Sequence, residues 1–154
     1  YVGINEGITQ MITDDVLGKE SDAYQVETLF ARQLATIVGY DKLLAIYSSN
    51  NVRLLLDELE PISKIDPEMV LANFSYLHYY LNRYELDIDV GSTTLGTMIQ
   101  QYFADIYISS GVDRDAEFVS FLITNEKLSK FGMQEPIVFK DVDKIYTMMK
   151  ERKK

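Results

Sequence analysis

Apolar residues recur at helical spacing through almost the whole chain. Ile4, Ile8, Met11 and Ile12 form a first stripe, which Gly18 ends. A polar stretch at 19–22 follows. Val26, Leu29, Phe30, Leu34, Ile37 and Val38 form a second stripe, closed by Gly39. A short segment over 42–47 precedes Asn51. The Asn51 side chain can cap a helix carrying Val52, Leu55, Leu56 and Leu59. Pro61 lacks the backbone donor needed to continue that helix.

Asp66-Pro67-Glu68 is a start signal. It combines an acceptor at the cap, a proline at the first helical position and an acid in the first turn. The helix it opens is expected to run to about residue 84, with Val70, Phe74, Leu77, Leu81 and Tyr84 on one face. The next stripe is Leu95, Met98, Ile99, Tyr102, Phe103, Ile106 and Tyr107, ending at Gly111. Asp113 can cap a helix bearing Phe118, Phe121, Leu122 and Leu128, with Gly132 as its stop. Val142, Ile145, Tyr146 and Met149 mark a last helix. The most strand-like segment, 88–90, is too short to build a sheet. The pattern predicts an all-α protein, an irregular bundle of six to seven helices. It predicts one domain over 1–154, with its loosest internal join near 85–94.

Composition supports that picture and narrows the chemistry. A hydrophobic share of 47% against 25% charged residues can build one core in 154 residues, which argues against wholesale disorder. No run of about 18 apolar residues occurs, so no membrane-spanning helix is expected in this stretch. The net charge of −9 repels phosphate backbones and argues against a nucleic-acid partner. The basic group Lys150, Arg152, Lys153 and Lys154 suits the C-terminal end of a helix. With no cysteine there is no disulfide, no thiolate metal site and no cysteine nucleophile.

The first helix carries the candidate chemistry. Glu6, Thr9, Gln10 and Thr13 fall on one face, opposite Ile4, Ile8, Met11 and Ile12. The segment Ile4-Asn5-Glu6-Gly7-Ile8 resembles the Asn-Glu-Gly or Asn-Glu-Ala segment of gluzincin metallopeptidases, the thermolysin-like and aminopeptidase-N-like enzymes. In that family an HExxH helix gives two histidine ligands and a general-base glutamate, and a second helix gives a glutamate as third zinc ligand. The resemblance implies that Glu6 is that ligand and that Asn5 is the residue before it. Three protein ligands leave a fourth position for water.

The chain departs from the family in three places. Gln10 stands where thermolysin-like enzymes carry an acid that supports a ligating histidine; its carbonyl oxygen can accept a hydrogen bond but brings no charge. Gly3 and Ile4 stand where aminopeptidases often have an aromatic residue. HExxH is absent, and His78 is the one histidine. The resemblance therefore implies the C-terminal helical part of a longer peptidase, consistent with a chain beginning at Tyr1. Zinc would belong to the parent protein. The isolated chain is expected to hold no zinc and no catalytic residue of its own. Its partners would be the missing N-terminal part of the same protein and a peptide or protein substrate.

The alternative is a non-catalytic helical interaction or regulatory domain, in which Asn5 is an N-cap and Glu6 complements the helix dipole. A pseudoenzyme lacking the histidines is a third reading. Asn125-Glu126 repeats the Asn-Glu pair in a polar context with no such resemblance. His78, among aromatics at 75–84, reads as a packed side chain. Asp113, Asp115 and Glu117 lack the glycine and closing glutamate of a calcium loop and read as a helix cap, and Asp87 and Asp89 read as a loop. Eleven tyrosines and no tryptophan favour amphipathic aromatics. Phe74, Tyr76, Tyr79, Tyr80 and Tyr84, with Tyr102, Phe103 and Tyr107, read as packing between two helices. Their functional alternative is a ligand groove containing Tyr76, Tyr80 and Tyr102.

Overall fold

A computed structural model describes residues 2–20, 23–83, 90–110 and 115–133. These residues form α1 (Val2–Leu17), α2 (Gln25–Val38), α3 (Tyr40–Ser49), α4 (Val52–Leu59), α5 (Pro67–Arg83), α6 (Val90–Ser110) and α7 (Asp115–Ser129). A single 3-10 turn, Glu60–Ile62, follows α4, and no strand occurs among the described residues. The protein is all-α, as the apolar periodicity predicts. The proposed last helix, the start of α7 at Asp113, and Tyr84, Asp87, Asp89 and Gly111 lie outside the described residues.

The punctuation residues act as their chemistry dictates. Gly18, Gly39 and Gly132 all take positive φ, at 69°, 102° and 87°, where a Cβ would be strained. Asn51 Oδ1 accepts from the Arg53 amide at 3.1 Å and caps α4. Asp66 Oδ1 accepts from the Glu68 amide at 3.0 Å and opens α5. Pro61 falls inside the 3-10 turn, where its missing donor costs little.

Two elements differ from the sequence expectation. The short segment at 42–47 is a full helix of 10 residues, α3. Helix α6 begins at Val90, ahead of the first expected stripe residue, Leu95. Its opening Val90-Gly91-Ser92-Thr93-Thr94 is poor in helix formers. Packing overrides that propensity: Met133 lies over Gly96, and Gly132 lies against the Thr93 side chain.

Helix α2 is the axis of the bundle. It packs against α1, α3, α6 and α7. Phe30, fully buried, meets Phe74 of α5 edge-on at 5.4 Å and Phe103 of α6 at 5.5 Å. Tyr107 stacks on Phe121 at 4.4 Å and joins α6 to α7. Buried polar groups also ride on α2. Gln33 Nε2 donates to Thr124 Oγ1 at 3.0 Å and to Asn125 Oδ1 at 2.8 Å. The second Asn-Glu pair is thus partly interior, with Asn125 3% exposed.

Helix α1 lies across α2 and α5. Its buried face is Gly3, Ile4, Gly7, Ile8, Met11 and Asp14, while Ile12 is only half-buried. The two glycines let backbones meet. A Cβ on Gly7 would sit 2.4 Å from the Glu27 carbonyl oxygen. One on Gly3 would sit 2.8 Å from the Phe74 carbonyl oxygen.

Candidate functional site

Glu6 is the fifth residue of α1, and no acid occupies that helix's first turn. Asn5 does not cap: its carbonyl lies within the helix and accepts the Thr9 hydroxyl at 2.8 Å. The dipole-and-cap account of the Asn-Glu pair is therefore corrected, because that effect decays within the first turn. Asn5 faces a cleft of about 510 Å³ bordered by Tyr47 of α3, the capping residue Asn51 and Leu55 of α4. Glu6 lies a further ~100° round the helix and is half-buried. No side chain among the described residues hydrogen-bonds or ion-pairs with its carboxylate. Gln10 is engaged, its amide donating to Asp14 Oδ1 at 2.7 Å.

No group of three or more His, Cys, Asp or Glu able to hold a metal exists among the described residues. A metal at Glu6 therefore needs ligands from outside them. A carboxylate on a helix clamped by Gly3 and Gly7 suits the role of a single contributed ligand.

The aromatic band divides. Phe74, Phe103 and Tyr107 are core. Tyr76, Tyr79 and Tyr80 stand exposed on α5, where with Ala72 and Ser75 they line an open apolar recess. Tyr102 is elsewhere: it is 5% exposed, and its hydroxyl pairs with that of Ser63 at 2.6 Å. It borders a separate cleft with Ile62, Ile65 and Met98. The structure brings Tyr76 and Tyr80 together and leaves Tyr102 apart.

Burial pushes the Tyr102 phenol above its ordinary 10.0, while the Ser63 hydrogen bond acts the other way. Above pH 10 the unfolded chain loses this proton first. The folded state keeps it, so stability falls as pH rises toward the folded value. Tyr102→Phe should cost about 1 kcal/mol near neutrality, from the lost hydrogen bond. It should lose less stability than the parent on going above pH 10, as read from urea midpoints at both pH values.

Sequence reasoning missed the best-formed polar cluster. Glu27, 2% exposed, accepts from His78 Nδ1 at 2.9 Å and from Asn82 Nδ2 at 3.1 Å. Asn82 Nδ2 also donates to the His78 carbonyl at 2.7 Å. Asn82 Nδ2 also lies 3.2 Å from His78 Nδ1, so the three side chains form one compact cluster. The Tyr24 ring, at 5.6 Å, covers one side of the imidazole. The one available signal was register. Glu27 falls on the Phe30–Leu34–Ile37 stripe, where an acid must find a partner. That the partner is 51 residues away was not legible.

This cluster ties α2 to α5 beneath Gly3. Glu27→Gln keeps the shape and removes the charge from both hydrogen bonds. A loss of about 1–2 kcal/mol is expected, measured as a lower urea midpoint with unchanged m.

No family model matches this chain, and neither a curated protein nor a solved structure does. Among the described residues no helix is long and apolar enough to cross a membrane.

Proposed function

We propose that this chain is the helical part of a gluzincin-type zinc peptidase, in which Glu6 is the third metal ligand and the HExxH helix lies elsewhere in the full-length protein. The observation that carries the reading is the state of Glu6. It is a half-buried carboxylate with no partner among the described residues, on a helix whose rotation is set by backbone contact at Gly3 and Gly7. A carboxylate with no competing partner is available to a metal, and the hydrogen bonds that would orient it as a ligand would have to come from outside the described residues. The Ile4-Asn5-Glu6-Gly7-Ile8 resemblance supplies the identity of the metal and the reaction. In such a site zinc supplies a water made nucleophilic near neutral pH. This chain's part is to hold the metal through Glu6 and to keep that carboxylate oriented. Asn5 opens toward the α3–α4 cleft, and the Gln10 carbonyl oxygen can receive a donor from outside the bundle.

The test is metal removal. The full-length protein should hydrolyse a generic peptide, lose that activity to a zinc chelator and regain it with added zinc. Hydrolysis that survives exhaustive chelation would refute the class. The second reading, a non-catalytic interaction domain, is favoured by the exposed Tyr76, Tyr79 and Tyr80 on α5. A full-length protein with neither zinc nor activity would select it.

A further inference from the structure

The cleft that Asn5 faces lies between α1, α3 and the start of α4, and Glu6 does not line it. Its volume of about 510 Å³ is within the range of small-ligand sites. Its floor is aliphatic, built on the almost fully buried Ile4, Ile8 and Leu55. Its rim carries Asn5, Ser48, Asn50 and Asn51, so half of the chain's six asparagines meet at one cleft. The side chains of Asn5, Ser48 and Asn50 hydrogen-bond to nothing among the described residues. Asn51, whose Oδ1 caps α4, keeps its Nδ2 open.

The lining narrows the class of ligand. None of the residues that form it is charged, in a chain where 25% are. An ionic ligand would give up hydration there and meet no opposite charge. Its one aromatic residue, Tyr47, is half-buried, and the Tyr47 hydroxyl is engaged with Thr9 at 2.6 Å, which leaves a sugar ring no open face to stack on. The matching ligand is uncharged, partly aliphatic and able to donate and accept together. A carboxamide does both, its NH2 donating while its oxygen accepts. It therefore complements a peptide unit, which presents one N–H and one C=O. Aliphatic side chains of the same peptide would cover Ile4, Ile8 and Leu55.

We propose that this cleft binds a short extended peptide with uncharged aliphatic side chains, its main chain paired with the carboxamides of Asn5 and Asn50. The proposal does not rest on the zinc reading, and its test uses no metal. The probe is the blocked peptide acetyl-Leu-Ala-Leu-Ala-amide, titrated into the chain and followed by backbone and carboxamide NMR shifts. The same peptide N-methylated at both alanines, and maltotriose, are the comparisons. Saturable shifts confined to residues 4–8 and 46–55 are expected with the unmodified peptide. N-methylation, which removes main-chain donors, should weaken binding about fivefold or more. Asn5→Ala and Asn50→Gly should each weaken it about fivefold, the effect of one neutral hydrogen bond. Both positions are exposed, and glycine suits the φ of 54° at Asn50, so the unfolding midpoint should not fall. The absence of saturable shifts with the peptide overturns the proposal, as does saturation by maltotriose alone. Equal affinity for the N-methylated peptide, or unchanged affinity in both variants, overturns it too.

Discussion

Gly7→Ala should lower the unfolding free energy by about 2 kcal/mol or more, against the sign that helix propensity gives. In an exposed helix the same change would stabilise by about 1 kcal/mol. Here the new methyl would lie 2.4 Å from the Glu27 carbonyl oxygen and 2.9 Å from its carbonyl carbon. Those atoms are backbone of the central helix, so they cannot rotate aside. Helix α1 must lift, and overpacking of this kind costs about 1–3 kcal/mol even where side chains can adapt. For a chain of this size the melting temperature should fall by about 4–8 °C. Gly96→Ala is the contrast. The nearest atoms its methyl would meet all belong to the side chain of Met133, which is buried but flexible, so a smaller loss than at Gly7 is expected. Thermal unfolding of the two variants side by side checks the argument. Equal melting temperatures would show that α1 does not approach α2 as described.

The same contact bears on function. The glycine of the Asn-Glu-Gly segment has a packing reason of its own. By seating α1 on α2 it fixes the rotation that turns Ile4 and Ile8 inward and leaves Glu6 on the outer side. A shift of α1 would move the Glu6 carboxylate with it.

Much of this fold was legible before any coordinates. Caps and breakers such as Asn51, Asp66-Pro67, Gly18 and Gly39 act locally, so their signals survive in the chain. The burial pattern of α2 was legible for Phe30 and Leu34, because one stripe faces one core. What escaped depends on contacts distant in sequence. Gly3 and Gly7 contribute no hydrophobicity, and their burial follows from where α5 and α2 pass. The Glu27–His78–Asn82 cluster joins two helices, and neither helix alone announces it. The alternative of a groove holding Tyr76, Tyr80 and Tyr102 was not readable from the chain for the same reason. Tyr76 and Tyr80 line one recess and Tyr102 borders another, its hydroxyl paired with that of Ser63. Met98 shows the limit of a stripe in the other direction, being 57% exposed in a helix whose periodicity placed it inside.

The proposed zinc site rests on Glu6, and one substitution addresses it. Glu6→Gln keeps the length and hydrogen-bonding shape of the side chain and removes the negative oxygen that a divalent metal requires. The carboxylate has no partner among the described residues, so the bundle should lose little, about 0.5 kcal/mol or less, and circular dichroism should be unchanged. Metal affinity should drop by orders of magnitude with one of three protein ligands gone, and hydrolysis with it. The deciding measurement is the zinc-to-protein ratio of the purified full-length protein, by elemental analysis after dialysis, with Glu6 and with Gln at that position. The account predicts about one zinc per chain in the first and close to none in the second. Equal zinc in the two proteins would contradict it.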